Sequence, residues 1–130
     1  VELDLNWRAV LARAADIQEA NGHCQGFFVD HRQAEGGVDI RNCRVCPIGA
    51  IALACDILPG NLWTQHPNGV AAETAAEKFA DYLIRHGLSD GRTLHDRLMS
   101  TIADQWADVA GRTLEEIVAA LRAAAEEDVS

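Results

Sequence analysis

The chain has 130 residues, 48% of them hydrophobic, and a formal net charge of −9. That length suits one domain with its own core, and the acidic balance argues against nucleic acid and anionic membranes, which need a basic footprint. No apolar run reaches the roughly 18 residues of a membrane-spanning helix; with no visible secretory signal and too few cysteines for a disulfide scaffold, the expected setting is a reducing cytoplasm.

Asn6 is a natural N-cap, and the spacing predicts a first amphipathic helix from Trp7 to about Ala20. Trp7, Val10, Leu11, Ala14 and Ile17 share one face, while Arg8, Arg13, Asp16 and Glu19 lie mostly elsewhere. Asn21-Gly22 stops it. From His23 to Arg41 the character changes. Phe27, Phe28 and Val29 favour strand, as do Val38 and Ile40, with a turn signal at Gln33-Ala34-Glu35-Gly36-Gly37 between them. The expectation is a small β-hairpin packed on the helices, because two strands alone are marginal. Such a hairpin would bring Cys24 towards Cys43 and Cys46.

Asn42 to Gly60, NCRVCPIGAIALACDILPG, holds three of the four cysteines. Pro47 fits the first turn of a helix, which puts Cys46 at or beside the N-cap. Ile48, Ile51, Ala52, Cys55 and Leu58 form one apolar face, and Pro59-Gly60 ends it. Gly49 inside this helix costs about 1 kcal/mol against alanine; close approach of another backbone is the expected reason. Asn61 to Gly69 reads as a loop, and Ala71 to His86 as a third helix with Ala72, Ala75, Ala76, Phe79, Leu83 and His86 inward.

Two helices complete the chain. One opens at Gly91-Arg92-Thr93-Leu94 and carries Leu94, Leu98, Ile102 and Trp106 to about Asp108. The other opens at Gly111-Arg112-Thr113-Leu114, where Thr113 and Glu116 have capping-box spacing, and runs to about Ala125. The fold expected is mainly α: about five helices in a single compact domain, residues 1–125, with one small β-hairpin between the first and second helices. Residues 126–130 form an acidic C-terminal tail. The expected core is Trp7, Leu11, Phe28, Ile48, Ile51, Leu53, Phe79, Leu83, Leu98, Ile102, Trp106, Ile117 and Leu121.

Cys43-Arg44-Val45-Cys46 is a CxxC. Two thiolates at that spacing can grip one ion, and Cys24 and His23 are the candidates to complete a zinc set with Cys43 and Cys46; His31 is a further one. The same CxxC has the form of a redox pair, although no βαβ pattern surrounds it. Cys46 at a helix start is also a candidate nucleophile, with His23 or His31 as base. Against these stands the plain reading, in which a cysteine before a buried helix is packed and inert, as Cys55 would be on the apolar face. No complete catalytic constellation is present. The favoured reading is a non-enzymatic domain that binds or regulates another protein, with no cofactor. The alternatives are a cysteine-ligated structural zinc module and a thiol-dependent enzyme using Cys46.

Several phrases together carry a resemblance: Asn21-Gly22-His23-Cys24-Gln25-Gly26, Cys46-Pro47-Ile48-Gly49-Ala50-Ile51, Trp106-Ala107-Asp108, and Gly111-Arg112-Thr113 with Glu115-Glu116-Ile117. In this order they resemble a family of small proteins of unknown function from high-GC Gram-positive bacteria and their phages. The resemblance implies a compact helical domain in a bacterial or phage cytoplasm, and no activity. Two positions depart from its pattern: His23 stands where an aromatic is expected, and Ala107 where asparagine is expected. Cys43 lies outside the pattern.

Overall fold

The computed structural model describes residues 3–58, 66–90 and 97–127. Helix α1 (Trp7–Asn21) is the centre of the fold. Asn6 caps it by accepting from the Arg8 amide, and Gly22 leaves it at φ 92°. The buried face of α1, with Val10, Leu11, Ala14 and Ala15, packs against three other helices: α3 (Pro47–Ala54), α4 (Pro67–Arg85) and, most extensively, α5 (Leu114–Glu126). A π-helix (Met99–Ala107) packs on α3 and α4. Phe79 of α4 meets Trp106 of the π-helix edge-on, with ring centroids 5.5 Å apart. Of the expected core, Trp7, Phe28 and Leu53 are only partly buried and the other ten are buried. Trp7 instead lies beneath cations, with the Arg8 guanidinium 4.4 Å from its ring centroid.

The mainly α expectation holds, but the β-hairpin between the first and second helices does not form: among the described residues there is no strand, only isolated bridges. Local side-chain capping explains the difference. Asp30 accepts from the amides of Arg32 and Gln33 and starts a short helix α2 (His31–Glu35) where the turn was expected. Asp39 likewise accepts from the Arg41 amide and opens a single 3-10 turn, Ile40–Asn42. Phe27-Phe28-Val29 and Val38-Ile40 therefore never pair. Val29 turns to Val45 instead.

Two helix ends also differ. α3 stops at Ala54, a turn short of Leu58, and Asp56 takes a positive φ of 57°. Arg13 of α1 caps that end, with Nε and Nη2 donating to the Ala54 carbonyl at 3.1 and 2.9 Å. α4 begins at Pro67 rather than Ala71, with the His66 ring accepting from the Asn68 amide. Its helix-start proline uses the same chemistry as Pro47. The helix start expected at Thr93 and the Pro59-Gly60 stop lie outside the described residues. α5 carries the full Thr113–Glu116 capping box. At its far end Glu127 pairs with Arg85 and His86 of the α4 terminus.

Candidate functional site

Val45 is the spine of the site. Its N–H donates to the Gly22 carbonyl (3.1 Å) and its carbonyl accepts from the Cys24 amide (3.2 Å), a parallel pairing with His23. On the other side the Asp30 amide donates to Arg44 O (2.8 Å) and the Cys46 amide to Phe28 O (3.2 Å), an antiparallel pairing with Val29. Three short segments thus lie side by side without becoming a sheet. Gln18, fully buried on α1, fixes them from below: its Nε2 donates to Val45 O at 2.7 Å and to Gly22 O at 2.9 Å.

Cys46 follows this spine and caps α3, its sulfur accepting from the Gly49 amide at 3.4 Å. Gly49 is the predicted close approach: a Cβ there would lie 2.1 Å from Phe28 O. Cys46 also lines a pocket of about 380 Å³. Gly26 to Val29 and His31 wall one side. Met99, Ala103, Asp104 and Asp108 wall the other.

The π-helix makes that second wall possible. Its turn closes five residues back, as in the bond from the Asp108 amide to Ala103 O (2.8 Å), so it holds between four and five residues per turn. Met99, Ala103 with Asp104, and Asp108 recur at that spacing and face the pocket together. In an α-helix, nine residues make about two and a half turns and would put Met99 and Asp108 on opposite faces.

Electrostatics keep the thiols protonated. Burial pushes the Cys46 thiol up to about 12, outweighing the Gly49 and Ile48 amides that favour the thiolate. Cys24 is pushed up to about 11, by burial first and then by Asp30 and Asp108. Burial also raises Cys55, to about 11, and Cys43. The expected lowering of Cys46 by the start of α3 is thus overridden.

Of the candidate ligands, His23 and Cys24 come alongside Val45, between Cys43 and Cys46, although the hairpin expected to bring them there does not form. No three of these side chains converge. Cys43 directs its thiol towards the carbonyls of Val38 and Asp39 (3.8 and 3.5 Å), while Cys24 donates towards Phe27 O (3.3 Å). The His23 Nε2 contacts Ala107 O at 3.2 Å. Among the described residues no group of three or more His, Cys, Asp or Glu side chains is placed to share an ion. His31 is exposed and meets Phe27 edge-on, with centroids 5.2 Å apart. Two buried atoms have no partner among the described residues, His23 Nδ1 and the Oδ1 of Asp108, which lines the pocket. Sequence reasoning missed Gln18, Met99 and Asp104 as site residues. Asp108 enters there only as a helix end and within the Trp106-Ala107-Asp108 phrase.

The model of a family of unknown function, DUF6197, matches residues 4–127. The chain belongs to this family. DUF6197 has no assigned activity, and its match spans every helix named above, from α1 to α5. No curated protein and no solved structure matches the chain. Among the described residues no helix is long and apolar enough to cross a membrane.

Proposed function

We propose that this DUF6197 chain is a non-enzymatic binding domain whose pocket beside Cys46 accepts a basic side chain, carried on an apolar stem, from a partner protein. The observation that carries the reading is the lining itself. Apolar walls from Phe28, Val29, Met99 and Ala103 lead to two carboxylates, Asp104 and Asp108, and no lysine or arginine is among the described lining residues. An arginine side chain matches both parts, an apolar stem and a head with several donors. Asp108 Oδ1 is buried with no donor among the described residues, and Phe27, a lining residue that is 61% exposed, supplies an aromatic ring for a cation. The raised thiols support a binding role over thiol catalysis, which needs a thiolate near neutral pH.

The test is an NMR titration of the full chain with a short Leu-Arg-Leu peptide and its citrulline counterpart, which keeps the shape and loses the charge. The arginine peptide is expected to shift the amide signals of 26–29 and 103–108, and the citrulline peptide to bind about tenfold more weakly. Asp108→Asn should reduce the difference between the two. Equal binding of both peptides, or shifts elsewhere on the molecule, rejects the reading. So does turnover of a substrate that is lost on Cys46→Ser.

A further inference from the structure

We propose that Cys24 and Cys46 are a dithiol pair that closes into a disulfide, and that the CxxC cysteines Cys43 and Cys46 are not. The backbone register carries this. In the parallel pairing of His23 with Val45, the next residues along, Cys24 and Cys46, are lateral neighbours and project to the same face. The residues one step back follow the same register: a Cβ on Gly22 would meet Arg44 Cγ at 3.1 Å. Across the other pairing Asp30 reaches Arg44 at 2.8 Å, and Phe28 joins Cys46 in the pocket. Lateral neighbours in paired segments lie about 5 Å apart, inside the range of about 4.4–6.8 Å that a disulfide spans between Cα atoms.

The CxxC fails the same test. The backbone is extended at Cys43 (ψ 155°) and at Cys46 (ψ 170°), so side chains alternate along the segment. Cys43 and Val45 face one side; Arg44 and Cys46 face the other. Exposure assigns the order of events. Cys24 is partly exposed and Cys46 is 3% exposed. The Cys24 thiolate attacks a low-molecular-weight disulfide such as oxidised glutathione, forming a mixed disulfide and releasing one glutathione thiol. The Cys46 thiol then loses its proton, and its sulfur attacks the Cys24 sulfur and expels the second glutathione as a thiol. Two protein thiols are oxidised and one glutathione disulfide is reduced. The product replaces the free thiol of a pocket-lining residue, Cys46, with a disulfide and ties the 24–29 segment to the start of α3. This pair stands whether or not the pocket accepts a basic side chain.

The experiment equilibrates the reduced full-length chain with oxidised glutathione, counts free thiols and maps linked peptides by mass spectrometry without reduction. Free thiols should fall from four to two, with one dominant crosslink joining Cys24 to Cys46. Cys43→Ser should keep that crosslink, and Cys24→Ser should leave Cys46 free. A dominant crosslink through Cys43, a glutathione adduct on Cys24 beside a free Cys46, or four free thiols at the end overturns the proposal. The wild-type map decides by itself should either variant fold poorly.

Discussion

A Cβ on Gly49 would stand 2.1 Å from the carbonyl oxygen of Phe28. That oxygen also accepts from the Cys46 amide at 3.2 Å, so it cannot retreat without breaking the pairing that holds the pocket wall. Helix propensity and packing therefore predict opposite signs for Gly49→Ala. Propensity alone favours alanine by about 1 kcal/mol. Overpacking against a fixed backbone costs about 1–3 kcal/mol and more where nothing yields. The net expectation is destabilisation by about 2 kcal/mol, read as a lower midpoint in urea denaturation. A stabilised variant would remove the close approach from the account of this site.

Glu127 makes stability depend on acid. Arg85, followed by His86, holds its carboxyl below the ordinary value of 4.5. A carboxyl lowered in the folded state contributes stability that is fully present above its unfolded value and is lost as pH falls through the folded one. Wild type should therefore lose stability more steeply than Glu127→Gln below about pH 4.5, and the two curves should converge at the acid end. Denaturation midpoints measured from pH 6 down to pH 3 check this. Parallel curves throughout would mean that the pairing is lost to solvent screening.

The thiols should be slow. Cys46 is held up at about 12 and Cys24 at about 11, so a thiol reagent at neutral pH meets little thiolate. Cys24 is partly exposed and should react first; Cys43, Cys46 and Cys55 are buried and should react only on addition of denaturant. The rate at Cys24 should climb with pH and show no plateau below about pH 10. A Cys46 that titrates near the unperturbed value of about 8.5 would restore it as a candidate nucleophile.

What could be read from the sequence was what local chemistry decides. Asn6, the Cys46-Pro47 pair and the Thr113–Glu116 box each start a helix at the expected residue. The hairpin does not form because Asp30 and Asp39, whose side chains capture nearby amides, outweigh strand-favouring runs of only two or three residues. The start of α4 carries the same proline signal as Pro47, four residues ahead of the alanine stripe that suggests a start at Ala71. The π-helix left no trace, since Leu98, Ile102 and Trp106 at four-residue intervals suit either helix. With it went Met99 and Asp104, half of the pocket's second wall. Gln18 has no sequence signal at all. Its role comes from Val45 and Gly22, 27 and 4 residues away along the chain.

That glutamine sets the last expectation. Gln18 is fully buried, and its two amide hydrogens meet two carbonyls, Val45 O at 2.7 Å and Gly22 O at 2.9 Å. Both carbonyls have a second donor, the Cys24 amide for Val45 and the Val45 amide for Gly22. Gln18→Met keeps the volume and removes the bonds, so neither oxygen is left bare and the cost should be about 1–2 kcal/mol. Gln18→Glu keeps the shape and replaces donors with a carboxylate aimed at two carbonyl oxygens. Burying that charge without a partner should cost more than the methionine, by about 2 kcal/mol or more, unless the carboxyl takes up a proton and donates it to one of the two oxygens. The glutamate variant should consequently gain stability relative to Gln18→Met as pH falls from 7 to 5, because the folded state favours the neutral acid. Urea denaturation of both variants at the two pH values checks the order and the trend. Equal losses without pH dependence would mean that the Gln18 amide does not hold the Val45 spine.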